Sequence, residues 1–361
     1  MIKVGSDFSG VGAFNQALNR LGIEYKEVFA CDMDKFARQT FIHNYGEPEY
    51  YPTNVYDREI PKDSLDIHMT SPPCQAFSLA GKRLGKDNKR GILFSNSYEF
   101  IQVNKPRFFI FENVKGLLSD DNGNTFQEWV NMLGGKSVNG VPVLFPYDDA
   151  VPYHLYWKVL NAKEHGVPQN RERVFLIGIR DDNDNYFQFP KEEHLTNRLK
   201  DVLEDEVNEK YFLSYAAINK CLKSQANENM LNDDIPEKSR CIVAGYYKVP
   251  FDGQYLKMQY NDKRLNATIQ KNKLQNGEVK AIDIYNKKIQ NESPTLTEPH
   301  HNTTRLWDGY KVRKLTPREC FRLMDFPDTF TWPVSDSQAY KQAGNSIVVN
   351  VLYKILKTLP L

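Results

Sequence analysis

Short apolar runs alternate with helical stretches through the first half of the chain, and no other feature restricts its possible folds so strongly. Ile2–Ser6, Glu27–Ala30, Leu65–Met69, Arg107–Phe111, Tyr153–Val159 and Arg173–Ile179 read as strands. Ala13–Leu21, Lys35–Asn44 and Tyr98–Asn104 carry helical patterns between them. Strands separated by roughly ten to twenty residues of helix need crossover connections, which are right-handed and leave helices on both faces of the sheet. The expectation is an α/β fold: a Rossmann-like, doubly wound, mostly parallel sheet.

At 361 residues the chain is long enough for about two domains. A hydrophobic content of 40% is too high for a disordered chain. No apolar run reaches the roughly 18 residues that a bilayer span needs, and Met1-Ile-Lys-Val enters a strand directly instead of a signal peptide, so no membrane association is expected. The five cysteines (Cys31, Cys74, Cys221, Cys241, Cys320) are scattered, without a C-x-x-C pair. That pattern favours a reducing cytoplasm and excludes both a zinc site and a disulfide framework; no metal is expected.

After Arg180 the alternation stops. Residues 181–240 hold 14 acids and 8 bases, whereas 241–310 hold 10 bases and 7 acids, interleaved with Tyr246, Tyr247, Tyr255, Tyr260 and Tyr285. The net charge of +1 therefore conceals a basic, tyrosine-rich stretch from Lys248 to Lys288 and says nothing against a nucleic-acid partner. Order returns at Lys311. Thr316-Pro-Arg-Glu319 reads as an N-cap, a proline at the first helical position and a capping-box glutamate, opening a helix to Met324. A last helix is expected at Ile347–Lys357. These shifts divide the chain into a main domain of residues 1–180 plus 340–361, an inserted domain at 181–310 and a connecting segment at 311–339.

Asp7-Phe-Ser-Gly-Val-Gly-Ala-Phe14 follows the first strand and opens a helix, and Gly10 and Gly12 would let a ligand approach the backbone there. Asp32 ends the second strand, where an acid can bind ribose hydroxyls. The third glycine of a dinucleotide fingerprint is missing, so the turn reads either as a tight strand–helix junction or as a site for an adenosine ligand without phosphate. Ser71-Pro-Pro-Cys-Gln-Ala-Phe-Ser78 follows the third strand. Most free cysteines are small buried hydrophobes. Here two prolines and the basic loop behind them (Lys82, Arg83, Lys86, Lys89, Arg90), punctuated by Gly81, Gly85 and Gly91, favour a reactive thiolate under a closing loop. Glu112-Asn-Val114 ends the next strand, and Gln169-Asn-Arg-Glu-Arg173 brings two arginines towards the same edge. Burial there would raise the pKa of Glu112 and make it a usable acid. His300 and His301 lack further spaced ligands and read as loop residues.

The ordered set Phe8-Ser-Gly-Val-Gly12, Pro72-Pro-Cys-Gln75, Glu112-Asn-Val114, Gln169-Asn-Arg-Glu-Arg173, Arg313-Lys-Leu-Thr-Pro-Arg-Glu-Cys320 and Gln342-Ala-Gly-Asn-Ser346 resembles the DNA (cytosine-5)-methyltransferase family. The resemblance covers residues 1–180 and 311–361, and places the family's target-recognition domain at 181–310. It implies transfer of a methyl group from S-adenosylmethionine to carbon 5 of a flipped-out cytosine in double-stranded DNA. Cys74 matches the nucleophile that adds to carbon 6, because carbon 5 attacks a methyl sulfonium only once the ring is enamine-like. Glu112 matches the residue at ring nitrogen 3, with Asn113 positioning it; Arg173 matches the arginine at the base carbonyl, and Arg171 a support for the thiolate or its loop. Phe8, Gly10 and Gly12 match the donor-binding turn, Asp32 the ribose acid, and Asn345 and Ser346 the late motif that returns to the same pocket. Asn54 stands where an aspartate near the adenine amino group is common, Ala13 where a second glycine is common, and Asp32 where glutamate is common. Gln75, Ser78, Lys82, Arg83 and Asn113 fall on the substrate side.

A monomer in the cytoplasm of a bacterial or phage-infected cell is expected, and a cognate restriction endonuclease acting separately is left open. An RNA cytosine methyltransferase of the same fold, a catalytically silent nucleic-acid-binding module and a nicotinamide dehydrogenase stand as alternatives. The long central region, the complete set of polar residues and the incomplete glycine fingerprint argue against them in that order.

Overall fold

The computed structural model describes residues 1–72, 89–212, 238–239, 241–242, 244, 255–259, 280–283, 288–290, 304–307 and 310–361. They form two compact units: Met1–Val202, Glu237–Tyr247 and Pro317–Leu361 in the first, Leu203–Pro236 and Lys248–Thr316 in the second.

The first unit opens β1 (Ile2–Asp7), α1 (Ala13–Leu21), β2 (Tyr25–Cys31), α2 (Lys35–Tyr45), β3 (Ile67–Thr70), α3 (Lys89–Asn104) and β4 (Phe108–Val114). It continues with α4 (Asn124–Leu133), β5 (Ser137–Val138), β6 (Val141–Pro142), β7 (His154–Asn161) and β8 (Glu172–Ile179). The eight strands make one sheet in the order β2-β1-β3-β4-β8-β7-β5-β6. The β1–β2, β1–β3 and β3–β4 pairs are parallel, whereas β8 runs antiparallel between β4 and β7. The doubly wound, mostly parallel α/β sheet expected from the sequence is the fold observed.

Each central strand follows from its side chains. Phe108, Phe109, Ile110 and Phe111 are all fully buried, as a strand covered on both faces requires. Helix α1 buries Ala13, Phe14, Ala17 and Leu18 on one stripe and stops at Gly22, whose φ of 68° suits a left-handed cap. Helix α2 starts where the Asp34 carboxylate accepts hydrogen bonds from the Phe36 and Ala37 amides. Past α2 the chain returns along the outer edge of β2, with Ala30 N–H donating to Tyr50 O (3.1 Å) and Asp32 N–H to Pro52 O (3.3 Å). The chain then crosses to β3 on the other side of β1, so the winding reverses between β1 and β3.

Three elements go beyond the strand–helix alternation read from the sequence. Helix α4 buries Phe126, Trp129, Val130 and Leu133 against Phe109, Phe111, Leu155 and Leu176, packed with Phe94, Tyr98 and Ile101 of α3. The β5–β6 hairpin turns at Asn139-Gly140, with φ of 47° and 81°. Helix α3 begins at Lys89, earlier than the expected Tyr98.

The second unit contains β9 (Tyr255–Gln259), β10 (Lys280–Asp283), β11 (Lys288–Gln290), β12 (Thr304–Trp307) and β13 (Tyr310–Lys314). They pair as an antiparallel three-stranded sheet, β11-β10-β12, and an antiparallel β9–β13 ribbon. Back in the first unit, α5 (Pro317–Leu323), α6 (Asp336–Asn345) and α7 (Val349–Thr358) complete the chain, and α7 packs on α1. Among the described residues no helix is long and apolar enough to cross a membrane.

Candidate active site

Strands β1 to β4 end, and β8 begins, at one edge of the sheet, and open α/β sheets bind ligands there, beside the β1/β3 reversal. The turn after β1 is conformationally demanding: Phe8, Gly10 and Gly12 all have positive φ, at 57°, 55° and 84°. Phe8 adopts that geometry without glycine's freedom, which marks a position held by its surroundings. The two glycines differ. A Cβ on Gly10 would meet nothing nearer than Phe8 O at 4.0 Å, so the turn is open above it; a Cβ on Gly12 would sit 2.2 Å from the Tyr45 ring.

Asp32 closes the turn from the β2 side. Its Oδ2 accepts from Gly10 N–H and its Oδ1 from Asp34 N–H, both at 2.8 Å. Burial pushes its pKa up, and these two amides draw it back down. Each oxygen retains a lone pair for a further donor. The Asn54 oxygen accepts from Tyr56 N–H (3.0 Å) and its amide donates to Asp57 (3.1 Å), so this side chain shapes its own loop. Asn345 is exposed at the end of α6 and Ser346 is buried beside it. Helix α6 is fixed to α2 by Lys341 Nζ on Asp34 Oδ2 (2.6 Å) and by Thr40 Oγ1 donating to Gln342 Oε1 (3.0 Å). Open space over Gly10 beside a carboxylate with free lone pairs suits a nucleoside and its ribose hydroxyls.

Glu112 and Arg173 stand on neighbouring antiparallel strands. Val114 pairs with Arg173 and Glu112 with Phe175, so both side chains share one face a diagonal step apart. Arg173 Nε lies 3.1 Å from Glu112 Oε1, and its Nη1 donates to Glu172 O at 2.7 Å. Burial pushes the Glu112 pKa up, while Arg173 and then Arg171 pull against it. The result is a shielded carboxyl with a cation at its side, able to hold or share a proton. Asn113 belongs to the other face; it donates to Pro72 O at 3.3 Å and so secures the chain just before Cys74.

Arg171 is buried. Its Nη1 donates to Ile242 O (2.9 Å) and Cys241 Sγ (3.1 Å), and its Nη2 to Ser346 O (2.8 Å) and Gly344 O (3.0 Å). Burial, followed by repulsion from Arg173, lowers its pKa to about 10. A cation on the last carbonyls of α6 is favourably placed against the helix dipole. Gln169 works alongside, donating to Leu323 O (2.6 Å) and accepting from Ile242 N–H (3.2 Å). The two side chains bind residues 241–242 and the late motif onto the start of β8.

Cys74, Gln75, Ser78, Lys82 and Arg83 lie outside the described residues, as do His300, His301 and Lys248. Among the described residues no group of three or more His, Cys, Asp or Glu is placed to hold a metal ion. Sequence reasoning missed a buried cluster beneath the turn. Asp7 Oδ1 is 2.8 Å from Arg58 Nε, and Asp7 Oδ2 is 3.2 Å from His68 Nε2. An acid ending the strand before a glycine turn was the one available signal; its partners come from a loop and from β3, without a local pattern.

A model of the family described as C-5 cytosine-specific DNA methylase matches residues 2–360. The orphan methyltransferase M.SPRI of Bacillus phage SPR is 30% identical over 446 residues, covering 99% of this chain and 97% of that protein. The type II methyltransferase M.HhaI of Haemophilus parahaemolyticus is 32% identical over 351 residues, covering 96% of this chain and 91% of that protein. Two solved structures share the fold at 20% identity: the S. pombe Dnmt2 methyltransferase (TM-score 0.65, covering 99% of this chain and 97% of that one) and a Spodoptera frugiperda DNMT2 mutant (TM-score 0.69, 99% of each).

Proposed function

Because this chain belongs to the C-5 cytosine-specific DNA methylase family and is a DNA cytosine methyltransferase, we propose that S-adenosylmethionine is its methyl donor and that Cys74 forms a covalent adduct with carbon 6 of the target base. The observation that carries this reading is the convergence on one sheet edge of the open Gly10 turn, the Asp32 carboxylate and the Glu112–Arg173 pair.

When bound, S-adenosylmethionine supplies an electrophilic methyl sulfonium. Asp32 accepts the ribose hydroxyls, Phe8 and Gly10 border the adenosine, and Asn54 offers its second oxygen lone pair to the adenine amino group. Gly12 sets the α1 start, and Asn345 and Ser346 close the pocket from α6. The Cys74 thiolate adds to carbon 6 of the cytosine. The electron pair moves through carbon 5 towards ring nitrogen 3, where protonated Glu112 donates a hydrogen bond and Arg173 holds the base carbonyl. Carbon 5 then takes the methyl group as the methyl–sulfonium bond breaks and S-adenosylhomocysteine leaves; passage of the carbon 5 proton to water with departure of the Cys74 sulfur restores the aromatic ring. Arg171 acts through the elements it ties together. Carbon 6 is inaccessible inside a duplex, so the cytosine is flipped out at a cost of a few kcal/mol. Gln75, Ser78, Lys82 and Arg83 hold the flipped nucleotide and its phosphates, with Asn113 holding the backbone before them.

Residues 181–310 act as the target-recognition domain, and 311–339 connect it to the catalytic domain of 1–180 plus 340–361. The partner is double-stranded DNA, met by a monomer in the cytoplasm of a bacterial or phage-infected cell; a cognate restriction endonuclease, where present, acts separately. No metal takes part.

The test is transfer from labelled S-adenosylmethionine to duplex DNA or tRNA, repeated with 5-fluorocytosine at the target sites. A denaturation-resistant DNA adduct, lost in Cys74→Ser, is expected. Label confined to tRNA would move the substrate to RNA, and the absence of transfer to either would mark a silent binding module.

A further inference from the structure

The Asp7–Arg58–His68 cluster has no part in the chemistry above, yet it joins the segments that perform it. Asp7 is the last residue of β1 and directly precedes Phe8. Arg58 follows Asn54 in the loop beyond the outer edge of β2, and His68 stands on β3, which leads to Pro72 and Cys74. The side chains of Arg58 and Asp7 are 2% and 1% exposed, and His68 is fully buried. Arg58 Nη2 also donates to Asn96 O of α3 at 3.2 Å, and its guanidinium lies 4.7 Å from the Phe100 ring centroid. His68 stacks on the same ring with 4.0 Å between centroids. Burial holds the imidazole neutral, so its Nε2–H donates to Asp7 and the cluster carries one positive and one negative charge.

A buried ion pair is a poor way to add stability, because apolar residues of similar volume do as well or better. It does fix direction and distance. Arg58 pairs its charge with Asp7 at 2.8 Å while its Nη2 donates to Asn96 O, and Asp7 lies between Arg58 and His68. One rigid polar joint thus sets the spacing between the Phe8–Gly12 turn and the Asn54 loop.

We propose that Arg58 is a positioning residue for the methyl donor, locking the Asn54 loop and the Phe8–Gly12 turn at the separation the adenosine requires. This rests on the assignment of that turn to S-adenosylmethionine.

The test compares equilibrium binding of S-adenosylhomocysteine and of duplex DNA, by calorimetry on the full chain, with steady-state kinetics. Arg58→Met should weaken S-adenosylhomocysteine binding about tenfold, with DNA affinity unchanged within about twofold, because remote misplacement acts on the group it positions. KM for S-adenosylmethionine should rise while kcat at saturation holds. Arg58→Lys should restore part of the affinity, since an ammonium reaches Asp7 but not Asn96 O at the same time. If Arg58→Met does not fold, Asp7→Asn/Arg58→Met removes both charges and should show the same selective loss. Wild-type affinity for S-adenosylhomocysteine in either folded variant, or an equal loss of affinity for both ligands, would overturn the inference. Wild-type protein that binds duplex DNA but neither S-adenosylmethionine nor S-adenosylhomocysteine would overturn the donor assignment itself, and that failure is visible before any variant is made.

Discussion

Replacing Arg171 by methionine separates a structural clamp from a group that touches the reacting base. Methionine keeps much of the volume and removes the guanidinium whose nitrogens hold Ile242 O, Gly344 O and Ser346 O. A hydrogen bond from a charged donor contributes about 1.5–3 kcal/mol, so three amount to roughly 5–9 kcal/mol before any offset. Burying a guanidinium to which no carboxylate is bonded among the described residues costs several kcal/mol, the same desolvation that lowers its pKa to about 10. The expected net loss is therefore about 3 kcal/mol, or a melting temperature lower by about 6–12 °C for a domain of this size. Arg171→Lys keeps the charge but cannot span Ile242 O and the α6 carbonyls at once, so it should lose about half as much. Thermal unfolding followed by circular dichroism reads both variants, and S-adenosylhomocysteine binding should weaken with them as the Gly344–Ser346 backbone loosens. Glu112 also loses one of the two cations that draw its pKa down, so in Arg171→Met its protonated form persists to higher pH. A methionine variant melting within about 2 °C of wild type would refute the clamp, since no truncation of three such contacts should be silent.

Glu112→Gln should slow methyl transfer by about 100- to 10,000-fold while leaving DNA affinity intact, as measured by single-turnover transfer and gel shift. The Glu112 pKa is raised by burial, so the folded protein keeps a proton that the unfolded chain has already released. Both stability and the acid-dependent rate should therefore fall as pH rises through that window, and the glutamine variant should lack this limb. Gly12→Ala should cost about 2–5 kcal/mol in a urea titration, from a left-handed backbone at φ 84° and a Cβ 2.2 Å from the Tyr45 ring. Gly10→Ala, strained but unobstructed, should keep more stability and still lose donor binding. His165 is buried with neither ring nitrogen hydrogen-bonded among the described residues, and burial lowers its pKa from 6.5 to about 4. The unfolded chain takes up a proton that the folded protein refuses, so stability should fall as pH drops from 6.5 towards 4, and a urea midpoint unchanged between pH 7 and pH 5 would contradict this.

The amino-acid order alone determined the sheet. A short apolar run such as Phe108–Phe111 suits a strand covered on both sides, and the helical stretches between the first four strands call for the parallel crossovers observed there. The Gly10 and Gly12 turn and the strand-end acids Asp32 and Glu112 were legible for the same reason, since backbone conformation and strand ends are local properties. Helix α4, with its own apolar stripe at Phe126, Trp129, Val130 and Leu133, was legible in principle but falls outside a simple strand–helix alternation. Which groups meet across the edge was settled only by folding. The Glu112–Arg173 pair follows from the antiparallel register of β8 on β4, a register no local sequence specifies. Arg171, read from sequence as support for the thiolate or its loop, directs its terminal nitrogens to the carbonyls of Gly344 and Ser346 and to residues 241–242, partners no local pattern announces. Arg58 and His68 carry no pattern at all, because a buried ion pair depends on distances between distant segments. Periodicity and turn chemistry act over a few residues and fix the elements; partnerships between charged side chains depend on how those elements pack, and only the tertiary structure decides them.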